Sequence, residues 1–416
     1  MNLAIQELPS QCDVLVVGAG PAGSAAALTL AQAGFDVVLI DQHAFPRDKV
    51  CGDGLIPDAH HALRKLGVLD EVMARAQAVG MARCNGPRGG FIDIPGTLAV
   101  LPRKELDMIL CRAAAAAGAR MFAPVQFKGP LEEQMKSGEV RVVGAHLLRG
   151  ETARVLRARW TVLASGARPQ ALIASGMSTR TGPSGIALRG YFRNPTMAGR
   201  IDKLELVWNR AIANGYGWIF PCPDGVFNIG VGTFENTGGA RDNGAAGRAM
   251  NTNLHRLMEE FIRIHAPARE LLAGGTPLGP WKGAPLRCTL EGAKHVRPGL
   301  LVAGEAAGST YLVSGEGIGK AMETGILAAE ALHTMGSDDN VIQARYEAGL
   351  RALQARFDMY RRASTIDRHP WLIDLLIWRA KKNPGLLKRL SGVLNETSSP
   401  GNLLSLHGLR RLLLSN

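Results

Sequence analysis

The stretch DVLVVGAGPAGSAAALTLAQAG, residues 13–34, decides the fold of this chain. It predicts an apolar strand, a turn with three glycines and an alanine-rich helix. This arrangement binds the pyrophosphate of a dinucleotide. Gly18 lets the chain turn tightly, Gly20 leaves room for a phosphate, and Gly23 lets the helix pack closely on its strand. The N–H groups at the start of the helix, predicted over residues 24–33, then face the anion.

A second apolar strand follows the helix at residues 35–40 and ends at Asp41. The acidic residue stands about twenty residues beyond the glycines, where the dinucleotide fingerprint requires it. Asp41 is placed to accept a hydrogen bond from a ribose hydroxyl; the alternative is that it only caps the strand. The sequence therefore predicts a dinucleotide-binding β-α-β unit at the start of the chain.

Length and composition indicate an ordinary α/β protein rather than a secreted or membrane-spanning one. The chain has 416 residues, 50 glycines and no low-complexity stretch, which suits two domains with a shared core. Residues 1–7 do not look like a secretory signal, and no apolar segment is long enough to span a bilayer. The six cysteines are scattered: Cys12, Cys51, Cys84, Cys111, Cys222 and Cys288. Such spacing favours a reducing, cytoplasmic setting.

The formal net charge of +12 calls for an anionic partner or surface. Nucleic acid is excluded as a partner, because no basic strand interleaved with aromatic residues and no nucleic-acid module is present. The basic residues concentrate near the end of the chain, at Arg361, Arg362, Arg368, Arg379, Lys381, Lys382, Lys388, Arg389, Arg410 and Arg411. Large apolar side chains lie between them, including the run at residues 412–414. The pattern fits a helix resting on an anionic membrane, or a packed helix with a solvated basic face.

The rest of the chain alternates between two kinds of pattern. Residues 58–79 predict helices, whereas residues 185–233 predict several short strands of an inserted sheet. A strand at residues 299–303 then returns the chain to the nucleotide-binding domain. The glycine-rich stretch at residues 304–319 precedes a long helix that runs through Leu332. A second helix start is therefore expected to point at the same cofactor.

Taken together, these motifs resemble those of the geranylgeranyl reductase family, FAD-dependent oxidoreductases related to aromatic hydroxylases and flavin-dependent halogenases. The resemblance rests on GAGPAG at 18–23, PRDKVCGDG at 46–54, GYGWIFP at 215–221, the stretch 304–319 and RAKKNPGLL at 379–387. It implies bound FAD and reduction of isolated C=C bonds in prenyl chains by hydride transfer from reduced flavin N5. The electrons would come from NADPH or a ferredoxin-like donor.

The fold class that follows is mixed α/β, with a Rossmann-like FAD-binding domain, an inserted antiparallel-sheet substrate domain and a C-terminal helical region. We predict the FAD-binding domain at residues 1–80, 100–175 and 290–335. The substrate-binding domain is predicted at residues 81–99 and 176–289, and the helical region at residues 336–416.

The resemblance also assigns residues to the FAD site. They are Gly18, Gly20, Pro21, Ala22, Gly23, Asp41, Arg47, Cys51, Gly52, Arg103, Gly166, Gly304, Glu305, Gly315, Gly317 and Ile318. By resemblance, Arg103 would reach the ribityl or phosphate region, and the stretch from Gly304 would hold the ribityl chain and the ring. Two positions differ from most relatives, which have Asp where this chain has Ser165 and Glu305. The Glu305 side chain is longer than Asp and shifts the carboxylate by more than about an ångström, whereas Ser165 removes a charge. The charge and geometry expected near the flavin therefore differ from those of most relatives.

Cys51 is the candidate proton donor, because reduction of a C=C bond needs a proton for the second carbon. By family position its loop lies beside the flavin ring, and flanking by Arg47 and Lys49 predicts a lowered pKa for the thiol. The alternative is a small buried apolar residue.

Tyr216, Trp218 and Phe220 alternate along one predicted strand and therefore share a face. We assign Tyr216 and Trp218 to the catalytic site as the floor of an elongated apolar pocket for a hydrophobic small molecule or lipid, with Trp208 as a further wall. The alternative is that these side chains form plain sheet core.

Two other functions stay open at this point: oxygenation of an aromatic substrate by an FAD-dependent monooxygenase, and a flavin-bearing binding protein without turnover. Halogenation is disfavoured, because halogenase relatives have two tryptophans in the segment that matches residues 216–221. No metal site is predicted, since no histidines have metal-ligand spacing. The protein is expected in the cytoplasm, with possible peripheral association with the inner face of the membrane.

Overall fold

A computed structural model describes residues 3, 5–234, 252–334, 338–395 and 397. The strands are β1 (Gln11–Val17), β2 (Val37–Ile40), β3 (Gly54–Leu55), β4 (Gln77–Asn85), β5 (Phe91–Val100), β6 (Arg120–Phe122), β7 (Gln126–Gln134), β8 (Val140–Arg149), β9 (Thr152–Leu163), β10 (Gly185–Arg193), β11 (Leu204–Val207), β12 (Gly215–Pro221), β13 (Val226–Phe234), β14 (Thr276–Pro277), β15 (Lys282–Leu286), β16 (Val296–Arg297) and β17 (Leu300–Val302). The helices are α1 (Pro21–Gln32), α2 (Pro57–Lys65), α3 (Leu69–Arg75), α4 (Arg103–Ala116), α5 (Gln170–Ala174), α6 (Leu254–Ile264), α7 (Ala266–Ala273), α8 (Ile318–Leu332), α9 (Asp339–Ala363), α10 (Thr365–Arg368), α11 (Trp371–Lys382) and α12 (Pro384–Leu394).

The first sheet is built around parallel strands in the order β17-β9-β1-β2-β6, and β16 pairs with β17 in the antiparallel direction. Strand β9 is long enough to pair with β1 along one part and with antiparallel β8 along another. The strands β1 and β2 are buried on both faces, as expected for a parallel sheet covered by helices. The carboxyl ends of β1, β9 and β17 therefore meet at one edge, where ligands of such sheets bind.

Small residues let α1 and α8 pack unusually closely. A Cβ atom at Gly325 would lie 2.1 Å from the carbonyl oxygen of Ala22, and one at Gly304 would lie 2.5 Å from the Ala22 Cβ. Alanines cover the buried face of α1, so little side-chain volume separates it from its neighbours. The N-termini of the two helices are consequently brought to the same edge of the first sheet.

The second sheet is mainly antiparallel, in the order β14-β10-β13-β12-β11-β4-β5-β3, with β15 also paired to β10. Its longest register joins β10 and β13 over nine residue pairs, from Gly185 opposite Phe234 to Arg193 opposite Val226. Helices α6 and α7 pack on one face through Leu257, Phe261 and Leu271. The other face carries an aromatic cluster that the C-terminal helices cover.

The second sheet starts earlier in the chain than the sequence indicated. The prediction of helices through residue 79 is wrong at its end, because α3 stops at Arg75 and β4 begins at Gln77. Val79 is buried opposite Leu98 of β5, so pairing across the sheet outweighs the helix propensity of the segment. Gly54–Leu55 also pairs with β5. The proposed domain limits at residues 80 and 99 therefore cut through strands of one sheet.

The predicted fold class is confirmed: a Rossmann-like α/β unit, an antiparallel sheet inserted into it, and a helical region after it. In the described part of the chain, none of the helices combines the length and hydropathy needed to cross a bilayer. The predicted basic and apolar residues at positions 410–414 lie outside the described residues.

Candidate functional site

The glycine turn after β1 has the tight geometry that the sequence predicts. Gly18 has φ +102°, and a Cβ there would lie 2.3 Å from the carbonyl oxygen of Ala164 at the end of β9. A Cβ at Gly23 would lie 1.7 Å from the Gly18 carbonyl oxygen, so α1 rests directly on the turn. Pro21 and Ala22 form the first turn of α1, where a proline costs no hydrogen bond.

Asp41 holds this turn from the next strand. One of its carboxylate oxygens accepts a hydrogen bond from the Ala19 N–H at 3.0 Å, and the other accepts from the His43 N–H at 2.9 Å. Arg47 approaches the same carboxylate at 3.6 Å. Asp41 thus stabilises the loop at the edge of the sheet, and its predicted contact with a ribose stays a prediction.

Two arginines border the space above Gly20. A Cβ at Gly20 would lie 3.6 Å from Arg47 Nη2 and 3.7 Å from Arg103 Nη2. Both guanidinium groups are held by Asp107, which is fully buried and lies 3.0 Å from Arg47 Nη1 and 2.7 Å from Arg103 Nε. Arginine side chains beside a helix N-terminus suit a diphosphate, so the residues present fit the phosphates of FAD.

Asp107 was missed by the sequence reasoning. Its position four residues after Arg103 in α4 is visible in the sequence, but its contact with Arg47 is not. Although burial alone lowers the pKa of Arg103, the Asp107 carboxylate raises that pKa above its ordinary value. The Arg103 guanidinium therefore stays positively charged next to the glycine turn at every physiological pH.

The second predicted cofactor segment lies beside the first. Gly304 begins a short 3-10 turn, Gly304–Ala307, and its N–H donates to Thr324 Oγ1 at 2.9 Å. Glu305 accepts from Thr310 Oγ1 at 3.5 Å and lies 4.0 Å from Lys49 Nζ. Further along, Gly315 and Gly317 precede Ile318, the first residue of α8.

Across the sheet edge, Ser165 and Gly166 follow β9. Gly166 has φ +77°, and no atom lies within 4 Å of the position that a Cβ would take. The Ser165 hydroxyl is buried and has no hydrogen-bond partner. The end of β9 therefore has open space next to an unsatisfied polar group.

The Cys51 loop packs against the aromatic face of the second sheet. A Cβ at Gly52 would lie 3.2 Å from the Phe220 ring and 3.6 Å from Trp218 Nε1. The prediction of a lowered pKa for Cys51 is wrong: burial raises the pKa of this thiol, and the positive charges of Arg103 and Lys49 only partly oppose the shift. The thiol therefore keeps its proton near neutral pH.

Asp53 ties this loop to the second sheet and to the start of α4. Its buried carboxylate accepts hydrogen bonds from the Tyr191 hydroxyl, from Asn228 Nδ2 at 2.7 Å and from the Arg103 N–H at 3.2 Å. Burial raises the pKa of Asp53 to about 6, against the effect of these donors. The sequence reasoning quoted Asp53 within its loop but gave it no role, because its partners lie far along the chain.

The aromatic row predicted on β12 is present. The Tyr216 and Trp218 ring centroids are 6.1 Å apart, and those of Trp218 and Phe220 are 6.4 Å apart. Trp208 lies 5.4 Å from Tyr216 and extends the row. Trp218 Nε1 donates to Asn228 Oδ1 at 2.9 Å, so the network of Asp53 also orients the row.

The C-terminal helices cover this row. Ile373, Ile377 and Leu386 pack into the same apolar cluster as Trp218 and Tyr216. The Tyr216 hydroxyl donates to the Ser314 carbonyl oxygen, which links the row to the stretch before α8. The aromatic row is thus a water-excluded apolar cluster between the second sheet and the C-terminal helices.

One acid, Asp367, reaches the covered row. It is 2% exposed; one carboxylate oxygen accepts from Trp208 Nε1 at 3.0 Å, and the other has no hydrogen-bond partner. Burial raises the pKa of Asp367 to about 7. The sequence offered no signal for Asp367, since its short helix had no assigned role.

Comparisons with known proteins agree with this geometry. Residues 11–194 match the family model described as FAD binding domain. The chain is 34% identical over 361 residues to a menaquinone reductase of Mycolicibacterium smegmatis, covering 82% of each protein. It is 28% identical over 333 residues to digeranylgeranylglycerophospholipid reductase 2 of Methanopyrus kandleri, covering 79% of this chain and 78% of the relative.

A solved structure has the same fold. The geranylgeranyl bacteriochlorophyll reductase-like protein of Thermoplasma acidophilum superposes with a TM-score of 0.74 at 20% identity, covering 98% of this chain and 96% of the other. The match extends over both sheets and the described helical region. The chain therefore belongs to the geranylgeranyl reductase family of FAD-dependent oxidoreductases.

Proposed function

We propose that this protein reduces C=C bonds in an isoprenoid or other lipid-like substrate. The observation that carries the proposal is the aromatic row of Tyr216, Trp218 and Phe220, which has the Cys51 loop on one side and the C-terminal helices over it. A long prenyl chain is an apolar ligand that such a wall suits. The relatives are named for menaquinone and for digeranylgeranylglycerophospholipid, which are both lipids with prenyl chains, and this supports the same substrate class.

In this proposal FAD lies along the edge where α1 and α8 begin. The phosphates face the Gly18–Gly23 turn with Arg47 and Arg103, while the ribityl chain and ring face Gly304 onward. When bound and reduced, FAD supplies a hydride to one carbon of the double bond. The positive end of the α8 helix dipole, at Ile318, favours negative charge on the part of the cofactor next to it.

Cys51 supplies the proton that the second carbon needs. Because burial raises the pKa of its thiol, Cys51 is protonated near neutral pH, which suits a general acid. The S–H bond breaks, a C–H bond forms, and the thiolate regains a proton from water between turnovers. The donor role therefore needs the neutral thiol that the structure has, not the thiolate first expected from the flanking charges.

The network around Asp53 positions the thiol. The Asp53 N–H points to Cys51 Sγ at 3.4 Å, and Asn228 Nδ2 donates to the Cys51 carbonyl oxygen at 2.8 Å. Both contacts fix the backbone of the loop beside the aromatic row. A loop held by the second sheet and by the start of α4 keeps the donor at one distance from the substrate chain.

Substitution of Cys51 tests this assignment. We expect Cys51→Ala to lower turnover about 100-fold with FAD still bound, because a positioned general acid contributes that much. Cys51→Ser should keep part of the activity, since a hydroxyl also carries a proton. Cys12→Ala, at the far end of β1, is the control and should turn over normally. Unchanged turnover of both Cys51 variants at full FAD content would remove Cys51 from the mechanism.

Oxygen dependence separates the reductase from the monooxygenase. A C=C reductase turns over a prenyl substrate anaerobically, and mass spectrometry of the product finds a gain of hydrogen. A hydroxylase stops without oxygen and adds oxygen to its product. Loss of all turnover under anaerobic conditions, with dithionite as the reductant, would overturn the proposal.

The electron donor is proposed as NADPH or a ferredoxin-like protein. The protein needs two electrons for each double bond, and the relatives' names do not specify the source. Bleaching of the FAD absorbance on anaerobic addition of NADPH would assign the donor to the nicotinamide. Absence of bleaching, with bleaching by reduced ferredoxin, would assign it to the protein donor.

The proposed location is the cytoplasm, with α11 resting on the inner face of an anionic membrane. Trp371 and Trp378, spaced seven residues apart, are 48% and 49% exposed, so they share an outward face. Lys382 lies 4.7 Å above the Trp378 ring. Tryptophans beside basic groups are typical of helices that lie in a membrane interface.

Vesicle sedimentation tests this surface. The protein should pellet with vesicles rich in phosphatidylglycerol and stay in solution with phosphatidylcholine alone. Trp378→Ala should weaken the binding several-fold, by about 1 kcal/mol. Trp281→Ala, on the second sheet and away from α11, serves as the control. Equal binding by the two variants would refute the assignment of α11.

A further inference from the structure

Two arginines at the seam between the sheets form no ion pair with any residue that the structure describes. Arg287 follows β15 and is 2% exposed, and Arg180 lies in the loop before β10. Within the described residues, neither guanidinium group forms an ion pair. Buried arginines are normally paired with carboxylates, so this arrangement requires an explanation.

The two side chains converge on Gly292. Arg287 Nη2 donates to the Gly292 carbonyl oxygen at 2.6 Å. A Cβ at Gly292 would lie 3.0 Å from Arg180 Nη1 and 3.3 Å from Arg287 Nη2. Two like charges are therefore held next to each other beside one glycine.

Neutral acceptors occupy only part of the hydrogen-bonding capacity of the pair. Arg180 donates from Nε to the Gly182 carbonyl oxygen and from Nη2 to the Pro183 carbonyl oxygen. Arg287 Nε is buried and has no partner. Burial and the charge of Arg180 lower the pKa of Arg287 to about 10. The negative charge of Glu305 opposes this shift only in part. An anion placed between the guanidinium groups would relieve both effects.

Other buried arginines of the protein are satisfied differently. Arg103 is paired with Asp107 at 2.7 Å, and Arg189 is paired with Asp48 at 2.7 Å. Arg180 and Arg287 differ from them in having a neighbouring arginine where those have a carboxylate. The structure thus leaves a surplus of positive charge at one defined place.

This place borders the proposed FAD site. The segment after Arg287 is joined to the segment after β17 through the bridge between Cys288 and Thr310. Thr310 in turn hydrogen-bonds Glu305, which faces Lys49 of the Cys51 loop. A ligand held by the arginine pair would therefore lie at the Glu305 end of the site, apart from the Gly18–Gly23 turn.

We propose that Arg180 and Arg287 form a binding site for the phosphate or diphosphate group of a ligand other than FAD. Two sources share this chemistry: the phosphates of a nicotinamide dinucleotide donor, and the diphosphate or phospholipid headgroup of a prenyl substrate. Arginine pairs bind phosphate oxygens with several hydrogen bonds at once. The identity of the source rests on the proposed function, whereas the binding of phosphate does not.

Calorimetric titration of the FAD-loaded protein tests the site without any turnover. Inorganic pyrophosphate, NADPH, geranylgeranyl diphosphate and the uncharged alcohol geranylgeraniol are titrated into the wild type, Arg287→Gln and Arg180→Gln. The half-buried Arg180 gives a variant that folds even if loss of Arg287 impairs folding. Arg256→Gln removes one exposed charge on helix α6 and serves as the control.

Pyrophosphate binding should weaken about tenfold or more in each site variant and by less than about twofold in the control, since a charged hydrogen bond is lost. If the affinity for NADPH falls in the same way and that for geranylgeranyl diphosphate does not, the site belongs to the electron donor. A parallel loss for geranylgeranyl diphosphate, with geranylgeraniol unaffected, assigns it to the substrate headgroup. Unchanged pyrophosphate affinity in both variants overturns the proposal. Release of FAD by pyrophosphate, or FAD loss in both variants, also overturns it, because the arginines would then hold the phosphates of FAD.

Discussion

The cofactor edge of the first sheet and the aromatic face of the second sheet are built in different ways. At the cofactor edge, glycines and backbone groups form the site and approach one another too closely for a side chain, as where Gly18 meets the carbonyl oxygen of Ala164. At the aromatic face, side chains from distant segments form it, as where Asp53 meets Asn228 across 175 positions. The first arrangement tolerates almost no added atom, whereas the second depends on a hydrogen-bonded network that can be altered in part.

The largest effect is expected from Gly23→Ala, which tests the backbone-built edge. The added Cβ would lie 1.7 Å from the Gly18 carbonyl oxygen, so α1 must move away from the turn. We expect a loss of about 4 kcal/mol or more in the free energy of unfolding, and loss of FAD from the purified protein. Gly129→Ala, where a Cβ meets nothing within 4 Å, is the matched control. If Gly23→Ala is purified with full FAD content, measured by absorbance, the claim that the cofactor edge tolerates no added atom is wrong.

Asp53→Ala tests the network that joins the two regions. It leaves the Tyr191 hydroxyl, the Asn228 amide and the Arg103 N–H without their acceptor, which should cost about 3 kcal/mol in urea unfolding. Asp53→Asn keeps an acceptor oxygen, and asparagine tolerates the left-handed φ of +65°. A cost for Asn equal to that for Ala would show that the acceptor is not what matters.

The same residue predicts a pH dependence. Burial raises the pKa of Asp53 from 3.8 to about 6, so the folded protein holds this proton more tightly than the unfolded chain. Its contribution to stability is therefore complete below pH 3.8 and is lost as the pH rises through about 6. The free energy of unfolding of Asp53→Asn should fall less than that of the wild type between these values. If the free energies of unfolding of the two proteins change in parallel with pH, the pKa of Asp53 is not raised.

Trp218→Ala tests whether the aromatic face is a substrate wall or plain core. As a wall, it should raise the Michaelis constant for a long prenyl substrate about tenfold and change that for a short one much less. Trp281→Ala, which removes a tryptophan packed on Phe192 in a different cluster, is the control. Equal effects on long and short substrates would favour simple core packing.

The smallest effect is expected from Asp367→Asn. Burial raises the pKa of Asp367 from 3.8 to about 7, so the wild type loses stability as the pH rises from 3.8 through about 7, and asparagine avoids this loss. The variant should gain about 1 kcal/mol of stability at a pH above about 7 and almost none below pH 3.8, while Asn still accepts from the Trp208 indole. Thermal unfolding at the two pH values measures the difference. A destabilised variant at high pH would mean that the ionised carboxylate has an unseen role.

The comparison also explains what the sequence could predict. Gly18, Gly23 and Asp41 belong to one β-α-β unit, so spacing alone placed them at one edge. The alternation of Tyr216, Trp218 and Phe220 likewise predicted a shared face. The pairing of Arg47 with Asp107, and the covering of Trp208 by Asp367, depend on how distant segments pack, and no local pattern encodes them. For Cys51 the sequence showed the neighbouring charges but not the burial, and burial reversed the direction of its pKa shift.

The cover that the C-terminal helices place over the aromatic row has a consequence for engineering. These helices follow the last element of the FAD-binding unit, so α10 to α12 could be exchanged for the corresponding segment of a relative while Gly18, Asp107 and Gly304 stay untouched. Under the proposed function, such chimaeras would show whether the length of hydrocarbon that is accepted can be changed without changing the binding of FAD.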